Sequence, residues 1–494
     1  MKNQLNLLIS QRLRIYCLNN CMMLFNDNKE IEIPADNPFL NCKLDRQKFA
    51  EALTSVIEAF SDSDRGCVMS LDGEWGSGKT TFIKMWRQLL KKNQYSTIYF
   101  NAWECDYVDD PLAAMIAELK EMGLDNEKLN KVICAGGKVL VATFKSIFKG
   151  LLKAKLGINV DSYSDILDEA GNLANDYIEE VEKQKKTISD FKKALSEYIV
   201  SSKKSPVVFF VDELDRCNPE FAVRVLERIK HLFDIPNLFF VIAVNKTQLE
   251  FAVQGYYGSD KIDSSEYLRR FIDLNYSLPE PDFSKYYDYL ADKHNFKKLF
   301  SDLTSNRYYG GNDGYALFVS IISALLPSAK LNLRATNKLF LLSRLTMQSF
   351  VPNNLLFSDV VFFLCYWKVV DTSFYNSIVE RAFNIQELID EIEKRLPANI
   401  KRTKDEMIVH RMAYTIAGLS FLYNLRDNFS NVDIGFKSSI NEEGVYEFPV
   451  SSSFIDYNLL NQAFNFYDNH HNPIRLSYLT NKIDFYECIN NNIG

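Results

Sequence analysis

The chain has 494 residues, 47% hydrophobic and 24% charged, and its 57 Lys and Arg against 64 Asp and Glu leave a formal charge of −7. That length exceeds one ordinary core, and the composition reads as a soluble globular protein of two or three domains. The acid excess excludes a broad basic field for duplex DNA, and nine cysteines without a Cys-x-x-Cys pair argue against a zinc site and a disulfide scaffold.

Residues 1–35 read as an N-terminal segment. Met1–Leu24 lacks the apolar core and small-residue cleavage site of a secretory signal, and Met22 and Met23 offer alternative starts. The first clear element is a buried strand at Cys67–Leu71, followed by Gly73-Glu74-Trp75-Gly76-Ser77-Gly78-Lys79-Thr80 and a helix from Thr81 to Leu90. Gly, four residues, then Gly-Lys-Thr between a strand and a helix is a phosphate-binding P-loop in its required context. Gly73, Gly76 and Gly78 permit the backbone angles that aim amides inward, and the helix N-terminus adds its own N–H groups. Lys79 places a charge on the β- and γ-phosphates and the Thr80 hydroxyl holds Mg²⁺. Residues 73–81, Thr81 included, are therefore the expected nucleotide-binding set.

Ser96–Phe100 reads as a second strand ending at Asn101-Ala102-Trp103. From 112 to 202 the pattern is a helical insertion. Within it, Val132–Ile158 sets Lys138, Lys145, Lys149, Lys153 and Lys155 among apolar residues; such a helix lies on an anionic membrane, receives a partner or packs on its own domain. Glu179, Glu180, Glu182, Lys183, Lys185 and Lys186 read as a solvated face. Val207–Val211 is a third strand, apolar throughout as in a parallel sheet covered on both faces. A helix begins at Pro219 with Phe221, Val225, Leu226, Ile229 and Phe233 on one side. Leu238–Val244 is a fourth strand and Phe271–Tyr276 a fifth.

This alternation implies an α/β fold, a parallel P-loop NTPase sheet with a helical insertion over residues 36–281, whose ligands bind at the strand C-terminal ends. Residues 282–494 read as a mainly α-helical C-terminal domain. Its apolar runs, Tyr315–Leu326 stopped by Pro327 and Val360–Trp367, fall short of the about 18 residues that a bilayer span needs and read as buried helices. Asn306–Gly314 reads as a loop, and His470-His471 as a solvated tail.

Chemistry gathers at the sheet edge. Asp212, at the end of the third strand, suits a metal-holding carboxylate, and Glu213 suits orientation or deprotonation of an attacking water. Arg216 pairs with a carboxylate or faces another subunit. Asn245, tipping the fourth strand, either senses the γ-phosphate or caps the strand end. Arg334 approaches the nucleotide from the helical domain.

Several segments together resemble the KAP family of P-loop NTPases, within the STAND and AAA-like group: Asp36-Asn-Pro-Phe39 with Arg46 and Phe49, Gly73–Thr80, Phe100-Asn-Ala-Trp103, Val211-Asp-Glu-Leu-Asp-Arg-Cys217, and Tyr267–Ile272 leading to Leu278-Pro279. The resemblance spans about residues 36–345. It implies ATP as ligand with Mg²⁺, and a bacterial chain of a kind frequent in phage-defence loci. It also places Arg269 and Arg270 where related NTPases carry an arginine finger acting in trans, with structural ion pairing as the alternative. Three departures stand out. Lys-rich sequence replaces the transmembrane helices many members insert between the two acidic and phosphate motifs, Asp212-Glu213 replaces the family's frequent Asp pair, and Asn245 stands where Asp is common. The function this implies is a cytoplasmic ATPase working as motor or switch in antiviral defence, with catalytic Glu213, Lys79, Asn245, Arg269 and Arg270. It would form a homo-oligomer and act through a separately encoded effector protein. The alternative is a nucleotide-gated scaffold with little turnover, peripheral to the inner membrane through residues 132–158. A nucleic-acid partner has no support in the net charge.

Overall fold

The computed structural model describes residues 31–60, 64–123, 126–155, 182–202, 205–280, 283–304, 313–348, 350, 357–425, 439–440, 446–469 and 474–491, with the backbone alone over 142–155, 303–304, 313–314, 317, 439–440, 446, 469 and 487–491. Met1–Leu24 and His470-His471 lie outside these residues. The described residues divide into two compact units, one within 31–281 and one within 282–494.

The first unit is built on five parallel strands: β1 (Cys67–Asp72), β2 (Thr97–Asn101), β3 (Val207–Asp212), β4 (Leu238–Val244) and β5 (Leu274–Ser277), in the spatial order β2-β3-β4-β1-β5. The expected α/β class is thus realised. Why the inner strands are apolar throughout is visible in their neighbours. Val207, Phe209, Val211, Phe240, Ile242 and Val244 pack toward helices that include Pro219–Leu232. Val208, Phe210, Phe239, Val241 and Ala243 point the other way, onto Phe82, Ile83, Met85, Trp86 and Leu90 of the helix Lys79–Lys92 and onto Leu53 and Ile57 of Gln47–Ala59. Successive side chains alternate between faces, and both faces are covered, so no polar position is needed.

Helix ends follow local chemistry. Asn218 and Asp110 accept from the N–H of the second residue, Glu220 and Leu112, of the helices that begin at Pro219 and Pro111. The predicted face Phe221, Val225, Leu226, Ile229 and Phe233 is buried.

The insertion is helical, as Pro111–Glu118, Asn126–Lys155 and residues 182–199. Val132 and Val139 are buried with Phe191, Leu195 and Tyr198 of the last helix, while Lys138 is exposed. The start of the Lys-rich helix therefore packs on its own unit. The side chains from Lys145 to Lys155, and Ile158 itself, lie outside what is described, as do Glu179 and Glu180; Glu182, Lys183, Lys185 and Lys186 are exposed.

Two expectations change here. The fifth strand begins at Leu274, not Phe271, because Phe271 and Ile272 are buried in the layer of the Pro219 helix. Gly73 does not have positive φ; Gly76 and Gly78 do, at 79° and 86°. Gly73 is small for another reason: a Cβ there would stand 2.9 Å from Ser77 Oγ.

Among the described residues the second unit is mainly helical, with one two-stranded antiparallel pair, Ser439–Ile440 and Tyr446–Glu447. The helix Ser358–Val370 is its centre. Residues 358–367 are all buried, which is how an apolar run too short for a bilayer is used. The Tyr315 helix does not stop at Pro327; it runs from Asp313 to Ala329 with the proline in its last turn, and so begins inside the stretch read as a loop. Among the described residues, no helix is long and apolar enough to cross a membrane.

Candidate functional site

β1 ends in Asp72, and the loop Gly73–Gly78 carries the chain into the helix Lys79–Lys92. Gly73 N–H donates to Val244 O at 3.1 Å, which ties the loop's start to the end of β4. Gly78 caps the helix in the left-handed region, where a side chain would be strained. Thr80 and Thr81 follow in the first turn, whose N–H groups have no intrahelical acceptors.

Lys79 is 9% exposed, and its Nζ donates to Gly73 O and, at 3.1 Å, to Glu74 O. Burial pulls its pKa below the ordinary lysine value, against the attraction of Asp215, Asp212 and Asp72. A cation enclosed by its own loop's carbonyl oxygens is matched to an anion that would take their place. Ser77 Oγ is buried without a hydrogen-bond partner in the same loop, an orphan that a phosphate oxygen would satisfy.

Two strands away, Asp212 is 1% exposed. Glu213 N–H donates to its Oδ1 at 2.9 Å, Tyr99 Oη donates to its Oδ2 at 3.0 Å, and the Thr80 hydroxyl is a further partner. Burial pushes the Asp212 carboxyl above the usual range while the Thr80 and Tyr99 hydroxyls draw it back. The loop's hydroxyl and the acidic strand end thus meet across β4. Among the described residues no three His, Cys, Asp or Glu gather as a metal site. A cation here would therefore be held by Thr80 and Asp212, with the nucleotide supplying further oxygens.

Glu213 sits at φ 59°, which turns its side chain out of the strand line. Arg216 Nη1 stands 2.7 Å from its Oε1, and Asn101 Nδ2 lies 3.3 Å from its Oε2. Asn101 also donates to Glu104 at 2.8 Å. The Arg216 guanidinium lies over the Trp103 ring at 5.4 Å. Trp75 Nε1 donates to Asp215 Oδ2 at 2.6 Å, a direct tie from the tip of the phosphate loop to the acidic turn.

The remaining expected residues are placed less uniformly. Glu74 is exposed and contributes its backbone oxygen. Asn245 caps the helix Lys246–Tyr257 by accepting from Gln248 N–H at 3.2 Å, and Lys246 N–H donates to Asp72 Oδ1 at 2.8 Å beside it. Asn245 is therefore at the site's edge and serves as a cap. Arg269 and Arg270 are not brought to the loop. They end the helix that leads to β5, whose preceding Asp273 N–H donates to Val68 O near the start of β1. That is the sheet edge opposite the phosphate loop. Arg269 is paired with Glu266 at 3.0 Å. Arg334 is exposed in the first turn of Leu333–Met347, in the second unit.

Sequence reasoning missed Tyr99, Asp72 and the role of Asn101. A tyrosine in a strand otherwise bound for the core, two residues before a strand-end Asn, is the signal that a hydroxyl reaches the neighbouring strand's acid.

With this geometry in place, comparison with protein families matches residues 46–342 to the KAP family P-loop domain. Comparison with curated proteins finds no match.

Proposed function

Since the chain belongs to the KAP family of P-loop domains, we propose that it is an ATP-binding and ATP-hydrolysing switch that needs Mg²⁺, in the broader STAND and AAA-like group. The observation that carries this reading is the meeting of Thr80 with Asp212 and Glu213 beneath the glycine loop. Bound Mg²⁺ would neutralise phosphate charge. Lys79 would leave the Gly73 and Glu74 oxygens for the phosphates, and Ser77 Oγ would donate to them. Thr80 and Asp212 would hold the cation, and Glu213 would orient the attacking water and take its proton. Arg269 or Arg270, on the far sheet edge, would reach only the nucleotide of another copy, which fits a homo-oligomer.

A second reading has its own support. Both Glu213 oxygens are engaged, by Arg216 and Asn101, and a base so held favours a nucleotide-gated scaffold with little turnover. In either case no other catalytic motif is present in the sequence, so a separate effector is the expected output. The family resemblance favours antiviral defence in a bacterial cytoplasm. Contact with the membrane surface would fall to the Lys-rich stretch 132–158.

Phosphate release from ATP and protection against phage, measured for the wild type, Lys79→Ala and Glu213→Gln, separate these readings. The switch predicts that both variants lose turnover by at least about a hundredfold and that both lose protection. The scaffold predicts that Glu213→Gln still protects. Absence of phosphate release from the wild type, with or without candidate partners, would remove the hydrolase claim.

A further inference from the structure

Arg46, which opens the helix Gln47–Ala59, is 3% exposed, yet among the described residues no carboxylate pairs with it. Its Nη1 donates to Ser77 O at 2.8 Å and its Nη2 to Pro279 O at 3.1 Å, while Nε is buried without a partner. Burial lowers its pKa to about 10, so it remains a cation at neutral pH. A buried guanidinium compensated by carbonyl oxygens alone is destabilising, and a neutral donor would serve as well if only shape were at stake.

Its two partners explain the charge. Ser77 lies in the phosphate loop, and the peptide whose oxygen Arg46 holds carries the Gly78 N–H at its other end. A charged donor on that oxygen polarises the peptide and strengthens the N–H as an anion donor. Pro279 ends the segment after β5, and the unit itself closes at residue 281. The same segment touches the loop elsewhere: Leu278 N–H donates to Asp72 O at 2.8 Å, and a Cβ on Gly73 would lie 3.5 Å from Leu278 Cβ. We infer that Arg46 is a positioning residue that orients the Ser77–Gly78 peptide toward nucleotide phosphates and passes the loop's state to Leu278–Pro279, where the chain leaves the NTPase unit. This rests on the loop being a nucleotide site.

Arginine is the suitable relay because its planar fork grips two oxygens at fixed separation, whereas lysine offers a single point. Arg46→Lys keeps the charge and loses the bridge. The test is hydrogen exchange over residues 274–278 of the full chain, with and without saturating Mg²⁺ and the non-hydrolysable ATP analogue adenylyl imidodiphosphate, alongside the analogue's measured affinity. The wild type is expected to slow its exchange there by at least about threefold on binding. Arg46→Lys is expected to bind within about tenfold of wild type but to lose that response. A merely structural arginine would lower thermal stability equally with and without the analogue and leave the response intact. Retention of the response in Arg46→Lys overturns the relay. So does an unchanged wild-type exchange with the analogue bound, which needs no variant to fold. If the wild type binds no analogue at all, the nucleotide reading itself has failed, and the affinity measurement shows which of the two has fallen.

Discussion

Asp212, the proposed metal-holding carboxylate, sits where burial disfavours its charged form. Among the described residues it has no ion-pair partner, and burial raises its carboxyl pKa in the folded chain. The folded pKa is thus above the unfolded one. Ionisation of Asp212 destabilises the fold at every pH above the folded pKa, and the effect vanishes below the unfolded pKa. Asp212→Asn keeps an acceptor for the Glu213 N–H and offers an amide to the Tyr99 and Thr80 hydroxyls, which can rotate to accept it. It should therefore raise the melting temperature of the nucleotide-free protein at neutral pH, with the two melts converging in acid; a lower melting temperature at neutral pH would contradict the assignment. The same raised pKa predicts that Mg²⁺-dependent nucleotide binding fades on the acid side earlier than an ordinary aspartate would cause, a shift absent from binding measured without Mg²⁺.

Gly418, inside the helix Glu406–Asn424, faces Tyr467: an added Cβ would meet the ring's Cζ at 2.7 Å and its hydroxyl at 2.8 Å. A rigid ring cannot give way, so Gly418→Ala should destabilise by about 1–3 kcal/mol despite better helix propensity. Gly137, in Asn126–Lys155, has nothing within 4 Å of such a Cβ, and Gly137→Ala should stabilise by up to about 1 kcal/mol. Denaturant melts of the two variants would check both; equal effects of one sign would sink the packing explanation.

Elements also show what was legible in the sequence. β4 was readable at both ends because an unbroken apolar run between Asn237 and Asn245 has no other use in a doubly covered sheet. β5 was misplaced because hydrophobicity alone cannot separate Phe271 and Ile272, which anchor the turn before an edge strand, from the strand itself. The glycine loop and Asp212 were legible because their chemistry depends on local order and on strand ends. The Trp75–Asp215 bond, the Tyr99 hydroxyl and the two-handed Arg46 were not, since each joins residues far apart in the chain whose meeting only the strand order β2-β3-β4-β1-β5 decides.

For the whole molecule, the matched family region, 46–342, runs past the first unit and ends within the helix Leu333–Met347 of the second. The proposed switch should change assembly with nucleotide. Light scattering of Glu213→Gln with Mg²⁺ and ATP is expected to report at least a doubled mass relative to the nucleotide-free chain, and a mass unchanged in every nucleotide state would count against action between copies. The central claim, that Lys79, Thr80 and Asp212 form one Mg²⁺-nucleotide site, is tested most directly by equilibrium titration of the full chain with ATP in Mg²⁺ and in chelator, for the wild type and Asp212→Asn. Mg²⁺ is expected to tighten wild-type binding by at least about tenfold, and Asp212→Asn to abolish this gain. Binding equally tight in chelator, or a Mg²⁺ effect that survives in Asp212→Asn, would contradict the claim.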